Sequence, residues 1–179
     1  MRFKELYEKK VVPKLIEDFG YKNKMAAPRL EKITLNVGIG PGLKEAGYKE
    51  AVEATLMKIS GQKPIPTKAR KSISSFKIRE GMDIGMKVTI RGKRMYDFFE
   101  RLVNIVLPRV RDFRGIDPNS VDHNGNLSIG IKESHAFPEI KAEEIETVHP
   151  LEVTVTTSAQ NREEGLALLK YLGFPFKSK

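Results

Sequence analysis

The chain contains no cysteine and no tryptophan. Without cysteine there are no disulfides, no thiolate nucleophile and no thiolate metal ligand. Such a composition fits a reducing compartment and sets the expectation of a cytoplasmic protein. Only three histidines occur, His123, His135 and His149, far apart and without a carboxylate at metal-ligand spacing. Each reads as a surface or packing residue. Ser72, Ser74 and Ser75 sit in a basic stretch with no nucleophile-elbow motif around them. The first residues, MRFKELYEKK, are charged throughout and lack the apolar stretch of a secretion signal. The apolar run LVNIVL is far too short to span a bilayer. No catalytic constellation, cofactor motif or membrane segment is expected.

What is abundant is positive charge, and it is unevenly spread. The chain carries a net charge of +9 at pH 7. Residues 1–111 hold 25 Lys and Arg against 12 Asp and Glu, whereas residues 112–179 hold 7 against 11. Within 68–94, nine residues are basic and two acidic. A field concentrated in this way attracts polyanions. A basic surface kept for solubility is the alternative, but concentration favours nucleic acid. The acidic group Glu143, Glu144 and Glu146 reads as a solvated or partner-facing surface.

At 40% hydrophobic the chain has enough apolar residues for a core. Phe3, Leu6, Tyr7, Val11, Leu15 and Phe19 recur at helical steps, with Pro13 set to kink or divide that helix and Gly20 to stop it. Residues 21–29 are basic, lack a clear period and read as a loop. Residues 30–38 alternate, Ile33, Leu35 and Val37 against Lys32, Thr34 and Asn36. A helix is expected over 44–60, with Tyr48, Ala51, Val52, Thr55, Leu56 and Ile59 on its apolar stripe. GQKPIPT allows only a short edge strand. Residues 84–92 alternate again, Met86, Val88 and Ile90 against Lys87, Thr89 and Arg91. A second helix is expected over 94–107, with Met95, Phe98, Phe99, Leu102, Ile105 and Val106 inward and Pro108 closing it. Short strands follow at Leu127–Ile131 and around Val153 and Val155, the latter with Glu152, Thr154 and Thr156 opposite. Residues 133–148 resist assignment. Asn161 is a good N-cap with Glu164 at the capping-box position, and Leu166, Leu169 and Leu172 define a last helix that Gly173 ends.

The order strand, helix, short strand, strand, helix, strand matches a split β-α-β unit. The expected fold is α+β: an open-faced antiparallel sheet with helices on one side, ferredoxin-like, with an added N-terminal helix and C-terminal elements. We expect one domain over 1–179: a helix and basic loop in 1–29, then a core over 30–179. That core includes the basic loop 68–84 and an irregular acidic part, 112–148.

The stretch LNVGIGPGLKEA, a strand running into three glycines and a helix, resembles the start of a dinucleotide-binding turn. The fingerprint fails: after Gly38 and Gly40 the third position is Leu43, and no acidic residue follows in KISGQKPIPT. The remaining readings are that Gly38, Gly40 and Gly42 allow a tight turn, or that they let a phosphate approach the backbone.

With apolar strand residues packed on helices, Lys32, Thr34, Asn36, Lys87, Thr89 and Arg91 fall on the open face. Cationic groups suit phosphates; Asn and Thr suit sugars and base edges. The confident strands hold no aromatic residue, so stacking of unpaired bases is not expected there. A folded RNA read by shape and 2′-hydroxyls fits better. Loop 68–84 carries Arg70, Lys71, Lys77 and Arg79, with Gly81 and Gly85 for mobility. Its Phe76 and Ile78 either anchor the loop or meet RNA; the pattern does not choose.

LEKITLNVGIG, SGQKPIPTKARKSISSFKIREG, LPRVRDFRG, HAFPEI and LLKYLGFPF together resemble the bacterial form of the large-subunit ribosomal protein number five family, over essentially the whole chain. The resemblance implies a non-enzymatic protein that binds 5S rRNA and helps to form the central protuberance. It implies partners in 23S rRNA and neighbouring ribosomal proteins there. It places Asn36, Gln62, Thr89 and Arg91 in the 5S contact, with Lys63 next to Gln62, and the polar face adds Lys32, Thr34 and Lys87. It brings an extended loop to peptidyl-site tRNA, here 70–84 with Arg70, Lys71, Phe76, Lys77, Arg79 and Gly81. It also implies a bridge to small-subunit protein number thirteen, for which Arg111, Arg114, Glu139, Glu143 and Glu144 are the candidates.

Overall fold

The computed structural model describes residues 3–40, 47–140 and 149–177. The chain forms an α+β fold around one five-stranded sheet of order β2-β3-β1-β5-β4. Its strands are β1 (Leu30–Gly38), β2 (Ile65–Lys68), β3 (Asp83–Ile90), β4 (Leu127–Ile131) and β5 (Leu151–Thr157). β2 runs antiparallel to β3, with Ile65 opposite Lys87 and Thr67 opposite Gly85. The Ile39 N–H donates to the Ile84 carbonyl, and the Ser158 N–H to the Arg29 carbonyl, so β1 is antiparallel to both its neighbours. β3 thus lies between β1 and β2, as a split β-α-β unit requires. One detail departs from the expected order. The place beside β1 is taken by β5, and β4 is displaced to the far edge.

Alternation explains the strands. Burial follows period two in β4 and β5, in β1 from Ile33 onward and in β3 from Met86 onward. β2 is short and at an edge, as Pro64 just before it and Pro66 within it dictate.

By the density of its contacts the chain divides into two compact units. The first comprises residues 1–33, 90–129 and 154–179. Its opening helix begins as α1 (Phe3–Leu6), widens into a π-helical turn at Tyr7–Val11 and resumes as α2 (Val12–Phe19). Gly20, at φ 68°, ends it, as expected. Pro13 does not divide this helix. The Val12 N–H reaches back five residues to the Tyr7 carbonyl, and the wider turn removes the clash a proline ring makes with the carbonyl four residues before it.

The same device recurs at Pro108, which was expected to close its helix and does not. After α4 (Gly92–Arg101) comes a π-helical turn at Leu102–Val106, then α5 (Leu107–Arg109). Here the Leu107 N–H reaches the Leu102 carbonyl. The extra residue in the turn also rotates the helical stripe, and Ile105, expected inward, is 41% exposed. In 21–29, read as loop, Asn23 caps a single 3-10 turn at Lys24–Ala26.

Aromatic rings tie this unit together: Phe3 to Phe99 at 5.4 Å, Phe99 to Phe174 at 6.1 Å and Phe174 to Phe176 at 5.1 Å between centroids. The Tyr7 hydroxyl donates to the Pro28 carbonyl at 3.1 Å. Burial, with Tyr96 beside it, pushes that phenol up to about 12. The last helix, α6 (Arg162–Tyr171), starts as its sequence signals. The Asn161 side chain accepts from the Glu164 N–H at 2.9 Å, and Glu164 reaches back to the Gln160 N–H at 2.9 Å. Leu168, Leu169 and Leu172 are buried, while Leu166 is half-buried.

The second unit comprises residues 34–89 and 130–153. It holds α3 (Tyr48–Ser60), which Gly47 opens at φ 92° and Gly61 closes at φ 65°. The expected start at 44, and Gly42 and Leu43 before it, lie outside the described residues. Tyr48, Val52, Leu56 and Ile59 are buried, with Ala51 and Thr55 half-buried beside them. Within 133–148, Ser134–Ala136 form a 3-10 turn, and 141–148 lie outside the described residues. No helix among the described residues is long and apolar enough to cross a membrane.

One close approach in the first unit depends on glycine. A Cβ on Gly165 would stand 2.4 Å from the Gly125 Cα and 2.5 Å from its carbonyl oxygen. Both obstacles are backbone, so neither can rotate away. Gly165→Ala is expected to lower unfolding stability by about 2–3 kcal/mol, despite alanine's better helix propensity. A reduced urea midpoint with unchanged slope checks this, and an unaltered midpoint contradicts it.

Candidate nucleic-acid interface

Parity along the strands decides what the open side of the sheet presents. On β1, Ile33, Leu35 and Val37 are at most 1% exposed. Lys32, Thr34 and Asn36 occupy the alternate positions and are half-buried. Gly38 continues that row, exposed, with nothing within 4 Å of where a Cβ would stand. Neither Gly38 nor Gly40 adopts a positive φ, so neither is needed for a tight turn. Of the two readings, Gly38 fits the second: it leaves a strip of backbone open to close approach.

On β3, Lys87 and Thr89 are exposed, opposite the buried Met86, Val88 and Ile90. Arg91 follows, exposed, as the N-cap residue of α4. Gly85 lies on the same side of β3 as Lys87, yet it is buried. A Cβ there would meet the Thr67 Oγ1 at 2.7 Å and the Val37 carbonyl oxygen at 3.1 Å, with the Asn36 Oδ1 at 3.8 Å. Thr67 and Gly85 therefore belong to this surface, although alternation alone did not single them out. Ile65, 62% exposed opposite Lys87, gives it an apolar rim.

Among the described residues Lys32, Lys87 and Arg91 form no ion pair. Asp83, the acidic residue of β3, lies 2.7 Å from the Lys49 Nζ. The Lys49 ammonium, by hydrogen bond and by charge, holds the Asp83 carboxyl below its usual range, and Asp83 raises Lys49 in turn. On β5, Glu152 accepts a hydrogen bond from the Asn36 Nδ2 at 3.3 Å. Glu152 was expected on the hydrophilic side but was not read as a site residue; only the fold brings it to Asn36. Gln62 follows α3, where the Ser60 Oγ contacts both its N–H and its carbonyl at 3.2 Å. Lys63 is exposed, 3.8 Å from Glu53. No periodicity marks either residue.

The basic segment after β2 is an ordered hairpin tip. Ala69 and Met82 extend the ladder, and Ile73 and Ile78 exchange two backbone hydrogen bonds at 2.9 and 3.1 Å. Between them Ser74–Phe76 form a 3-10 turn that Lys77 closes at φ 55°. The Ser72 Oγ accepts from the Glu80 N–H at 2.9 Å. Arg70, Lys71, Lys77, Arg79 and Gly81 are all exposed. Phe76 is 69% exposed and so does not anchor the tip, while Ile78 is half-buried.

Of the residues expected at a bridge, three lie among the described residues. Arg111 is exposed 3.9 Å from Asp112, Arg114 is exposed, and Glu139 is half-buried. Glu143 and Glu144 lie outside the described residues. Among the described residues no cluster of His, Asp and Glu has the makings of a metal site. His149 is buried with its ring edge-on to Tyr48, and His135 lies 3.0 Å from Glu133. The geometry offers hydrogen-bond donors, acceptors and exposed cations on the hydrophilic side of the sheet.

Gly85→Ala is expected to displace Thr67 and loosen β2, at a cost of about 1–3 kcal/mol. Faster amide exchange at Ala69 and Gly81, whose N–H groups bond across the hairpin, checks it; exchange at the wild-type rate contradicts it.

The family description "Ribosomal protein L5" matches residues 23–79, and the description of the same ribosomal family's C-terminus matches residues 83–176. The large ribosomal subunit protein uL5 of Colwellia psychrerythraea is 53% identical, over 98% of this chain and 97% of its own. Those of Kosmotoga olearia and Synechocystis are each 52% identical, over 97% and 99% of this chain and 95% and 98% of theirs. The chain therefore belongs to the ribosomal L5 family and is a structural, non-enzymatic constituent of the large ribosomal subunit.

Proposed function

We propose that the hydrophilic side of the sheet grips folded 5S rRNA. The contact residues are Asn36, Gln62, Thr89 and Arg91, with Lys32, Thr34, Lys63 and Lys87 supplying further polar and cationic groups. In this role the protein helps to form the central protuberance, beside 23S rRNA and neighbouring proteins. The observation that carries the reading is the uncovered row of β1. Asn36 stands beside the bare backbone of Gly38, without any aromatic residue on the strand. A surface of amides, hydroxyls and cations suits the shallow groove of paired RNA, where 2′-hydroxyls and phosphates are presented. It does not suit unpaired bases, which need rings to stack upon.

The hairpin tip has a second role in this reading. Its exposed Arg70, Lys71, Lys77 and Arg79 approach the elbow of peptidyl-site tRNA, with Phe76 and Gly81 at the contact. Ordered backbone hydrogen bonds at its base and near its end make it a prong that holds its charges away from the sheet. Arg111, Arg114 and Glu139, together with Glu143 and Glu144, make the bridge to small-subunit protein number thirteen.

Binding of 5S rRNA is expected to be strongly salt-dependent. If about six phosphates are neutralised, affinity falls roughly a thousandfold between about 50 and 200 mM salt. Asn36→Ala and Thr89→Ala are each expected to weaken binding about tenfold, the worth of one well-made hydrogen bond, with unchanged melting. A flat salt response, or full affinity in both variants, contradicts the reading.

Deleting residues 72–80 leaves Arg70, Lys71 and Gly81 as a three-residue turn between Ala69 and Met82. This variant is expected to keep its 5S affinity and to lose retention of tRNA in the peptidyl site. Loss of 5S binding instead would merge the two sites.

A further inference from the structure

Glu152 is an oddity on a surface meant for a polyanion. It is an exposed carboxylate in the middle of the sheet, on the strand next to β1. By charge alone it repels RNA. Its contact suggests why it is there. A carboxylate only accepts hydrogen bonds, so the Asn36 atom it touches at 3.3 Å must be the amide nitrogen. That fixes the carboxamide: Nδ2 points to β5, and Oδ1 points the other way, towards β3. There the facing residue is Gly85, which brings no side chain of its own against Oδ1; a Cβ at Gly85 would lie 3.8 Å from it. Glu152 occupies the donor side of the amide, and among the described residues no hydrogen bond reaches Oδ1.

We infer that Glu152 is a positioning residue that locks Asn36 as a hydrogen-bond acceptor, so that this point of the sheet reads a donor in the shallow groove of RNA. The donor is a 2′-hydroxyl or the exocyclic amine of guanine, the two donor types that groove displays. The inference rests on the sheet face being the 5S contact and adds the direction of the hydrogen bond at its centre. Without the clamp the amide rotates, and half of its orientations present NH2 to a group that also donates.

The test exploits a conflict of sign. Glu152→Lys removes a negative charge and adds a positive one, so charge alone demands tighter RNA binding. A lysine ammonium, however, only donates, and it pulls Oδ1 towards β5. Glu152→Lys is therefore expected to weaken 5S rRNA binding by about tenfold, as far as Asn36→Ala does, and Glu152→Gln by about two- to threefold. In the Asn36→Ala background, Glu152→Lys is expected to strengthen binding, because only its charge remains. The exposed position allows each variant to be checked for unchanged melting.

If Glu152→Lys or Glu152→Gln tightens binding in the native background, the inference is overturned while the sheet face stands. If Asn36→Ala itself has no effect, the inference falls; if Thr89→Ala has none either, the sheet-face reading falls with it. Two modified RNAs identify the donor: 2′-deoxynucleotides, or inosine for guanosine, confined to the segment the protein protects. The substitution whose penalty disappears in Asn36→Ala marks the group read. Penalties that persist unchanged in both overturn the assignment of Oδ1 as the reader.

Discussion

The hydrophilic side of the sheet exists because the other side is dry. Ile33, Leu35 and Val37, Met86, Val88 and Ile90, Leu127, Ile129 and Ile131, and Leu151, Val153 and Val155 are each at most 5% exposed. Burying one such side chain is worth about 1.5–3 kcal/mol. A one-residue slip of all four strands would expose the whole set, an upper bound of roughly 18–36 kcal/mol. That exceeds the total stability of an ordinary domain, about 5–15 kcal/mol. Cross-strand polar contacts, worth a few tenths to about 1 kcal/mol, cannot compete. Register is thus set by the apolar residues, and the polar ones inherit their places from it. Asn36 meets Glu152, and Thr67 covers Gly85, because hydrophobic neighbours are locked.

Two helices show how backbone chemistry bends to packing. Each carries a proline well inside a run of apolar residues that the core demands. A regular helix at either site would set the proline ring against the carbonyl of Lys9 or Asn104. Breaking the helix would strand Leu15 in one case and Leu107 in the other, both at most 2% exposed. The π-helical turns resolve the conflict by admitting one extra residue before each proline. The cost falls on phase: the stripe rotates, and Ile105 is turned outward.

Most of this was legible as periodicity. Alternation gave the strands and their dry sides, and three- and four-residue spacing gave the helices. Asn161 and Glu164 announced the last helix because capping is local chemistry, complete within four residues. What escaped was whatever depends on partners remote in the chain. Proline was read as a stop because its own geometry favours one; the packing that keeps the helix going is tertiary. Gly125 and Gly165, 40 positions apart, carry no pattern that announces a backbone contact. Glu152 lies on the expected side, but its pairing with Asn36 spans 116 residues. Gln62 and Lys63 follow a helix end, where no period operates, and came only from family likeness. The glycines at 38 and 40 misled in part, since their spacing suggested a turn whereas their φ values need none.

β2 ends the sheet with a proline in its middle, Pro66, opposite Met86. An edge strand ordinarily offers an unbroken comb of amide hydrogens to any passing strand. Proline has no such hydrogen, and its nitrogen is tolerated only where it faces outward. The comb therefore lacks a tooth at its centre, and a second molecule cannot zip along it. Copies of the chain meeting in solution, with their β-edges and basic prongs exposed, have no template for end-to-end growth on that side. The sheet stops at five strands, and its flat polar face stays available to something other than itself.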